Sequence, residues 1–228
     1  MVDQDHPRQP VNLACRRWGP SSGQPVVLLH GAGADSTTWN VVGDWPTAWQ
    51  MLSLDLRGHG RSPWAESYEL TDMVLDVVTT MDELHLNQVD LVGHSMGAMV
   101  AYLLAESQRD RIRRLVLIEP PPPVPASPPR DEGPRPEGET NYDWDFQPAF
   151  SRQRNAPDPS WWRDLASISA PTLILVGSHG SFPPETVTAM AQRIPDCELH
   201  VLDAGHRLHE DRPVEFAAAL YGFLERAE

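Results

Sequence analysis

The sequence predicts an α/β fold in which a mostly parallel sheet is covered by helices on both faces. Two observations carry this prediction: short runs of apolar and β-branched residues recur along the chain, and segments with helical periodicity separate them. Most of these runs are apolar throughout, as expected for parallel strands that are buried on both faces. At 228 residues the chain can bury a large core, so we expect one domain over residues 1–228.

The strands and helices can be assigned in chain order. A helix from Leu70 to Leu84 has apolar residues at i, i+3, i+4, i+7 and i+8, which form one stripe that should pack on the sheet. A last helix should begin near Pro213, since proline suits the first turn, and should close the fold. The strand candidates are Val26–His30, Met51–Asp55, Val89–Gly93, Leu115–Ile118, Thr172–Gly177 and Glu198–Leu202.

A proline-rich segment interrupts this alternation. Of the seventeen residues from Pro120 to Pro136, nine are proline, so this stretch should be extended and lie on the surface. Several aromatic residues follow it in a polar background. We interpret residues 120–165 as a short lid, with Trp144 and Trp161 as candidates to line a substrate pocket, because long loops often flank active sites. The alternative is a small satellite core under a long loop.

Composition narrows the classes of partner and location. The formal net charge of −14 would repel a phosphate backbone, so we expect no nucleic-acid partner. No apolar run approaches the roughly 20 residues that span a bilayer, and residues 1–10 carry no signal-like apolar stretch. We therefore expect a cytoplasmic protein that acts on a small molecule, without a membrane; the oligomeric state stays open. Cys15 and Cys197 have no Cys or His at ligand spacing, so we expect no disulfide framework and no metal site.

Residues 89–105 contain the motif with the clearest chemistry. An apolar strand leads into Gly-His-Ser-Met-Gly at 93–97, and an apolar helix follows. In such a Gly-x-Ser-x-Gly turn the glycines let strand and helix approach closely, and the serine hydroxyl stands exposed at the start of the helix. Chance alone produces the five-residue pattern in roughly one chain in ten, but here it lies between the two elements that the motif requires. We therefore predict Ser95 as a nucleophile.

With this motif the chain resembles the α/β-hydrolase superfamily, which implies a sheet of the eight-stranded type. Leu-Leu-His-Gly-Ala-Gly at 28–33 is similar to the oxyanion-hole loop of that family. The resemblance implies that the backbone amides of Ala32 and Met96 hold the oxyanion. Asp-Leu-Arg-Gly-His-Gly-Arg-Ser at 55–62 is similar to a turn that recurs in the superfamily, and we assign it a structural role.

A histidine loop near the end of the chain completes the resemblance. Asp-Ala-Gly-His at 203–206 follows the last strand candidate and looks like the catalytic histidine loop, which implies His206 as the general base. Histidine can gain and lose a proton near neutral pH, as a general base must. We interpret His30, His94 and His209 as supporting or packing residues, and His94 also as a candidate to line the pocket.

The acid of the triad departs from the family pattern. Most relatives carry it after the seventh family strand as Gly-x-x-Asp, whereas residues 177–180 read Gly-Ser-His-Gly. Glu119 ends the neighbouring sixth family strand, where some branches, including haloalkane dehalogenases, hold their acid. We predict that Glu119 orients His206, because a triad is defined by geometry and not by position. The alternatives are that Glu119 merely begins the proline-rich loop, or that the acid is Glu185, Asp203 or Glu210.

These assignments predict a serine hydrolase that needs no cofactor. It would cleave a carboxylic ester or lactone of a small to medium apolar substrate through an acyl-serine. A thioesterase, a C–C hydrolase or a cofactor-free haloperoxidase would use the same triad. Halide displacement and epoxide opening are not expected, because dehalogenases have an aspartate nucleophile. A catalytically silent, ligand-binding relative is the alternative of another class, since the usual aspartate is absent.

Overall fold

The computed structural model describes residues 9–42 and 48–226, and one sheet organises them. Its strands run in the order β1-β3-β2-β4-β5-β6-β7, all parallel except β1, which pairs antiparallel with β3. The predicted α/β fold class is confirmed, with seven strands in the described residues where the family type has eight. The strands are β1 (Cys15–Trp18), β2 (Gln24–Leu29), β3 (Trp49–Leu54), β4 (Val89–His94), β5 (Ile112–Ile118), β6 (Thr172–Gly177) and β7 (Cys197–Leu202).

Strand β1 is the strand that the sequence did not predict. Its four residues, Cys-Arg-Arg-Trp, contain no apolar run, because β1 lies at the edge of the sheet and is only partly buried. The other six strands begin and end within three residues of the predicted segments. Apolar runs therefore identified the five inner strands, and the predicted segment Glu198–Leu202 identified β7, which lies at the other edge and is only partly buried.

Two hydrophobic cores lie on the two faces of the sheet. Alternate residues of β2 separate between them: Val27 and Leu29 belong to one core, and Val26 and Leu28 to the other. The first core includes the predicted stripe of helix α1, and the second includes the last helix, which begins at Pro213 as predicted. The helices are α1 (Leu70–Glu83), α2 (Met96–Ser107), α3 (Phe146–Asn155), α4 (Pro159–Asp164), α5 (Pro184–Arg193), α6 (Leu208–Asp211) and α7 (Pro213–Leu224), and 3-10 turns include Ser36–Val42.

The proline-rich segment begins where β5 ends. Pro120 to Pro123 are buried, residues 127–139 are exposed, and neither helix nor strand forms before α3. The absence of helix and strand agrees with the proline content, but the predicted surface position is wrong for Pro120 to Pro123, which are buried. Helices α3 and α4 follow, and the Ala126 N–H donates to the Arg154 carbonyl at 3.2 Å, which joins the proline-rich segment to the end of α3.

The helices are short relative to a bilayer. The longest of those described, α1, has 14 residues, whereas about 20 are needed to cross the hydrocarbon core. In the described part of the chain, no helix combines the length and the apolar character of a membrane span. Most of the stretch examined for a signal, residues 1–8 of 1–10, lies outside the described residues.

Candidate active site

Ser95 occupies a sharp turn between β4 and α2. Its φ of 51° and ψ of −112° place it in a region that non-glycine residues rarely adopt. Its backbone N–H donates to the carbonyl of Ile118 at 2.9 Å, which joins the turn to the end of β5. A side chain at Gly93 would lie 2.3 Å from the Gly97 carbonyl oxygen, and one at Gly97 would lie 2.4 Å from that of Leu29. Both positions require glycine, because the strand and helix backbones are in contact there.

The loop that follows β2 lies beside this turn. Residues 31–34 form a tight turn in which the Ala34 N–H donates to the Gly31 carbonyl at 3.2 Å, and Ala32 is exposed. The Gly97 N–H donates to the His30 carbonyl at 3.1 Å, which joins the start of α2 to this loop. Met96 is the first residue of α2, where amides lack an acceptor within the helix.

Two buried histidines brace the loop at 31–34. His30 donates from Nδ1 to the Gly31 carbonyl (2.8 Å) and accepts the Leu56 N–H at Nε2 (2.9 Å). His59 accepts the Gly33 N–H at Nε2 (3.2 Å). Burial lowers the pKa of His30 and lowers the pKa of His59 to about 3, so both rings are neutral near pH 7. The sequence indicated a supporting role for His30; it assigned the turn at 55–62 a structural role without identifying His59.

His206 and Glu119 are in direct contact. His206 Nδ1 lies 3.0 Å from Glu119 Oε2, and the Glu119 side chain is 1% exposed whereas that of His206 is 34% exposed. The carboxylate also accepts the Gly177 N–H at Oε1 (2.7 Å) and the Ser181 N–H at Oε2 (3.0 Å). An ionised carboxylate only accepts hydrogen bonds, so Nδ1 carries the proton of this pair and Nε2 can accept another.

Gly180 provides the space that this carboxylate occupies. A side chain at position 180 would come within 2.3 Å of Glu119 Oε1. The departure at 177–180 and the carboxylate of Glu119 are thus complementary in space. In the described part of the chain, no carboxylate other than that of Glu119 lies within 4.0 Å of a His206 ring nitrogen. The weaker candidates for the acid, Glu185, Asp203 and Glu210, are therefore not in contact with this ring.

Two further histidines pack behind His206. The His94 ring donates from Nε2 to the backbone carbonyl of His206 at 3.0 Å, and its centroid lies 4.6 Å from that of His209. Burial lowers the pKa of His94 well below its usual value, with His209 and His206 as further causes, and burial lowers the pKa of His209 to about 4. His94 therefore positions the loop of His206 as a neutral ring. Within residues 9–42 and 48–226, no group of three or more His, Cys, Asp or Glu side chains could hold a metal ion.

A cavity of about 520 Å³ opens at Ser95, and His94, His206 and Ala32 line it as well. Most of its other lining side chains are polar, among them Asn141, Gln147, Ser151 and Arg130 from residues 120–165. The apolar pocket that the sequence suggested is thus replaced by a polar one.

Trp144 and Trp161 lie away from this cavity, which corrects the expectation that they line the substrate pocket. Trp144 lines a separate cavity with Trp64 and Tyr142, and Trp161 lines a groove between α1, α2 and α4. Phe150 is instead the aromatic residue that residues 120–165 contribute to the cavity at Ser95. Trp144 precedes α3, Phe150 lies within α3 and Trp161 lies in α4, so closeness in sequence did not indicate which aromatic residue lines the cavity at Ser95.

Comparison with known proteins shows the family to which this chain belongs. The sequence profile of the alpha/beta hydrolase family matches residues 26–219, which include Ser95, Glu119 and His206. The chain is 25% identical, over an alignment 275 positions long, to the sn-1-specific diacylglycerol lipase ABHD11 of Danio rerio. The alignment covers 95% of this chain and 83% of that protein.

Two other matches differ in extent. Lipase LipV of Mycobacterium tuberculosis is 33% identical over 110 residues, which cover 48% of this chain and 42% of that protein, less than half of either. The solved structure of an enol-lactonase from Burkholderia xenovorans superposes with a TM-score of 0.83 at 22% identity, over 95% of this chain and 97% of that one. This last likeness concerns the fold. By the match over residues 26–219, the chain belongs to the alpha/beta hydrolase family.

Proposed function

We propose that the protein hydrolyses a carboxylic ester or lactone through a covalent acyl intermediate on Ser95. The observation that carries this proposal is the 3.0 Å contact between His206 Nδ1 and the buried Glu119 carboxylate, at the cavity that Ser95 lines. Two of the similar proteins are a diacylglycerol lipase and an enol-lactonase by name, and both names denote cleavage of carboxylic esters. These names agree with an ester or lactone as the substrate.

Each residue has a defined part in the proposed reaction. Ser95 Oγ attacks the carbonyl carbon while His206 Nε2 accepts the hydroxyl proton, which gives a tetrahedral intermediate. The amides of Ala32 and Met96 stabilise its oxyanion, a contribution of about 10²- to 10³-fold in rate for one such donor in other enzymes. The intermediate expels the alcohol, which takes the proton from His206. Water, deprotonated by the same nitrogen, then attacks the acyl-serine, and the second tetrahedral intermediate releases the acid as Ser95 Oγ takes the proton back from His206.

The Glu119 carboxylate would stabilise the positive charge that His206 acquires in each half of the reaction. Two backbone N–H groups and His206 Nδ1 donate hydrogen bonds to this carboxylate, and these bonds restrict the movement of the Glu119 side chain. The alternative of a catalytically silent relative was motivated by the missing aspartate at 177–180. The Glu119 carboxylate, which directly follows β5, contacts His206. The missing aspartate is therefore no longer a reason to prefer a catalytically silent relative.

Labelling with a fluorophosphonate probe tests the proposal. We expect the folded protein to be labelled at Ser95 and to hydrolyse 4-nitrophenyl butyrate, and we expect both properties to be lost in Ser95→Ala. Ser151→Ala is the matched control, because Ser151 lines the same cavity from α3. Labelling should persist in this control. A folded protein that neither takes the label nor cleaves the ester would overturn the proposal.

A further inference from the structure

Two arginines lie against one aromatic ring beside the active site. Phe182, in the loop between β6 and α5, packs edge-on to His206 with 6.1 Å between ring centroids. The Cζ atoms of Arg154 and Arg130 lie 5.3 Å and 5.8 Å from the centroid of the same Phe182 ring. Two like charges on one ring repel each other, and an anion bound between them would offset that repulsion.

Arg154 is a buried cation without a partner carboxylate. It is 4% exposed, and no carboxylate of the described residues lies within 4.0 Å of its guanidinium. Its Nη1 donates to the Pro122 carbonyl at 3.3 Å, and its Nε has no hydrogen-bond partner in the described part of the chain. Burial, followed by the charge of Arg130, lowers the pKa of Arg154 to about 10, so the group stays charged at pH 7. A buried, unpaired charge is costly, and a structure that retains one usually uses it.

Arg130 connects this cation to the cavity at Ser95. It lines that cavity and, among the described residues, makes no ion pair. Arg207, the other arginine of the cavity, is paired with Glu210 at 3.3 Å. The carboxylate of Asp131 lines the cavity too, but it accepts the N–H of Gly133.

Hydrogen bonds to the main chain fix the position of Arg130 relative to Arg154. The Arg130 N–H donates to Asn155 Oδ1 at 2.7 Å, and Asn155 Nδ2 donates to the Arg130 carbonyl at 2.9 Å. Asn155 is the last residue of α3 and directly follows Arg154. The Arg154 carbonyl in turn accepts the N–H of Ala126 at 3.2 Å. Hydrogen bonds therefore hold the backbone segments that carry Arg130 and Arg154 next to each other.

We propose that Arg130 and Arg154 form an anion subsite, and that the substrate carries a carboxylate in addition to the ester that reacts at Ser95. Arg130, at the cavity, makes the direct contact, since the guanidinium fork matches a carboxylate. Arg154 supplies a second positive charge behind it, and Phe182 supports both. The inference rests on the proposed function for the reaction, but its recognition element is separate from Ser95, Glu119 and His206.

A matched pair of esters tests the subsite. Mono-4-nitrophenyl glutarate and methyl 4-nitrophenyl glutarate share the acyl chain and the leaving group, and only the first has a free carboxylate. We expect the ratio of their kcat/KM values to favour the acid by about 10-fold or more, the range of one charged hydrogen bond. Arg130→Gln and Arg154→Met should each lower that ratio toward one. Arg152→Gln is the control, because Arg152 lies on the same helix and pairs with Glu69 on the surface, and it should leave the ratio unchanged.

The outcomes separate the subsite from the hydrolase. If both esters are cleaved at similar kcat/KM, or if Arg130→Gln leaves the ratio as it is, the subsite is overturned and the hydrolase stands. Arg130 is exposed, so its variant should fold even where that of Arg154 does not. If neither ester is cleaved, calorimetry with the Ser95→Ala protein decides: monomethyl glutarate should bind more tightly than dimethyl glutarate, and Arg130→Gln should remove the difference. Equal binding of the two compounds would overturn the subsite independently of catalysis.

Discussion

At the scale of single residues, the site depends on a carboxylate that reaches from one strand end to the next. Glu119 follows β5 with a φ of 48°, in the left-handed region, and its side chain extends to the loop after β6. There it accepts the N–H groups of Gly177 and Ser181 as well as Nδ1 of His206. Two conditions must hold together, a carboxylate at position 119 and no side chain at position 180.

We expect Glu119→Gln to reduce ester turnover by about 10³- to 10⁴-fold, as neutralising the triad acid does elsewhere. The glutamine NH₂ group would face donors, either Nδ1 of His206 or a backbone N–H, so it cannot hold the same tautomer. Turnover of 4-nitrophenyl butyrate and thermal unfolding are the measurements. Glu185→Gln, a change in the first turn of α5, is the control and should keep its turnover. Near-normal turnover in Glu119→Gln would move the acid elsewhere.

The two positions that compete for the acid can be exchanged. We expect Gly180→Asp alone to lower turnover, because its Cβ would approach Glu119 Oε1 to 2.3 Å. In a Glu119→Ala background the same change should raise turnover above that of Glu119→Ala, since the space is then free. Gly222→Ala, in α7 with no atom within 4 Å of the added carbon, is the control and should fold normally. A loss of turnover from Gly180→Asp in both backgrounds would contradict the exchange.

At the scale of elements, helix α2 begins directly after the turn at Ser95 and extends into the interior. Nearly all of its residues are buried, from Met96 to Ala105, because it packs between the sheet and the elements on that face. Helix α2 is mostly apolar, and Glu106 near its carboxyl end is the one charged residue in it. The Oε1 atom of Glu106 is buried and has no hydrogen-bond partner among the described residues. Burial, followed by the charge of Asp164, raises the pKa of Glu106 to about 8.

We expect Glu106→Gln to be more stable than the parent at pH 8. The folded pKa of about 8 lies above the ordinary value of 4.5, so the contribution of Glu106 to stability is fully present below pH 4.5 and is lost as the pH rises to about 8. Glutamine does not titrate, and the difference in unfolding free energy should grow by at most about 1.4 kcal/mol per pH unit. Urea unfolding at several pH values between 5 and 8 measures it. A difference that is constant with pH would contradict the prediction.

At the scale of the whole molecule, the carboxyl ends of the strands gather neutral histidines from several loops. His30 follows β2, His59 belongs to the turn at 55–62, and His94 ends β4, while His209 lies in α6. Burial lowers the pKa of each one. Acid should therefore weaken the fold at the same edge of the sheet that holds Ser95, because protonation favours the unfolded chain.

We expect stability to fall as the pH drops from 6.5 toward 4, and His209→Phe to reduce that fall. The folded pKa of His209, about 4, lies below the ordinary 6.5, so its contribution is present above pH 6.5 and is lost as the pH decreases. Phenylalanine can still stack on Trp39. The unfolding free energy of His209→Phe should therefore change less steeply with pH than that of the parent, by at most about 1.4 kcal/mol per pH unit between pH 6.5 and 4. Identical slopes for the two proteins in denaturant unfolding would refute the assignment.

Local patterns were sufficient for much of the fold. The apolar stripe from Leu70 and the proline at 213 predicted α1 and α7, since helical periodicity and first-turn preferences depend only on nearby residues. The same holds for the turn at Ser95, whose glycines, Gly93 and Gly97, are each two positions away. Strand β1 was missed because its four residues, Cys-Arg-Arg-Trp, contain no apolar or alternating pattern.

The sequence by itself determined the α/β fold class, the inner strands and the loops that carry Ser95 and His206, because each is encoded in residues that are close along the chain. Only the tertiary structure decided which groups meet. The contact of Glu119 with His206 joins positions 87 apart in sequence and depends on strand order and on the space beside Gly180. The polar cavity wall, and the position of Trp144 and Trp161 away from it, depend on how residues 120–165 pack against the rest of the chain. Such contacts follow from the packing of elements distant in sequence, and no local pattern specifies them.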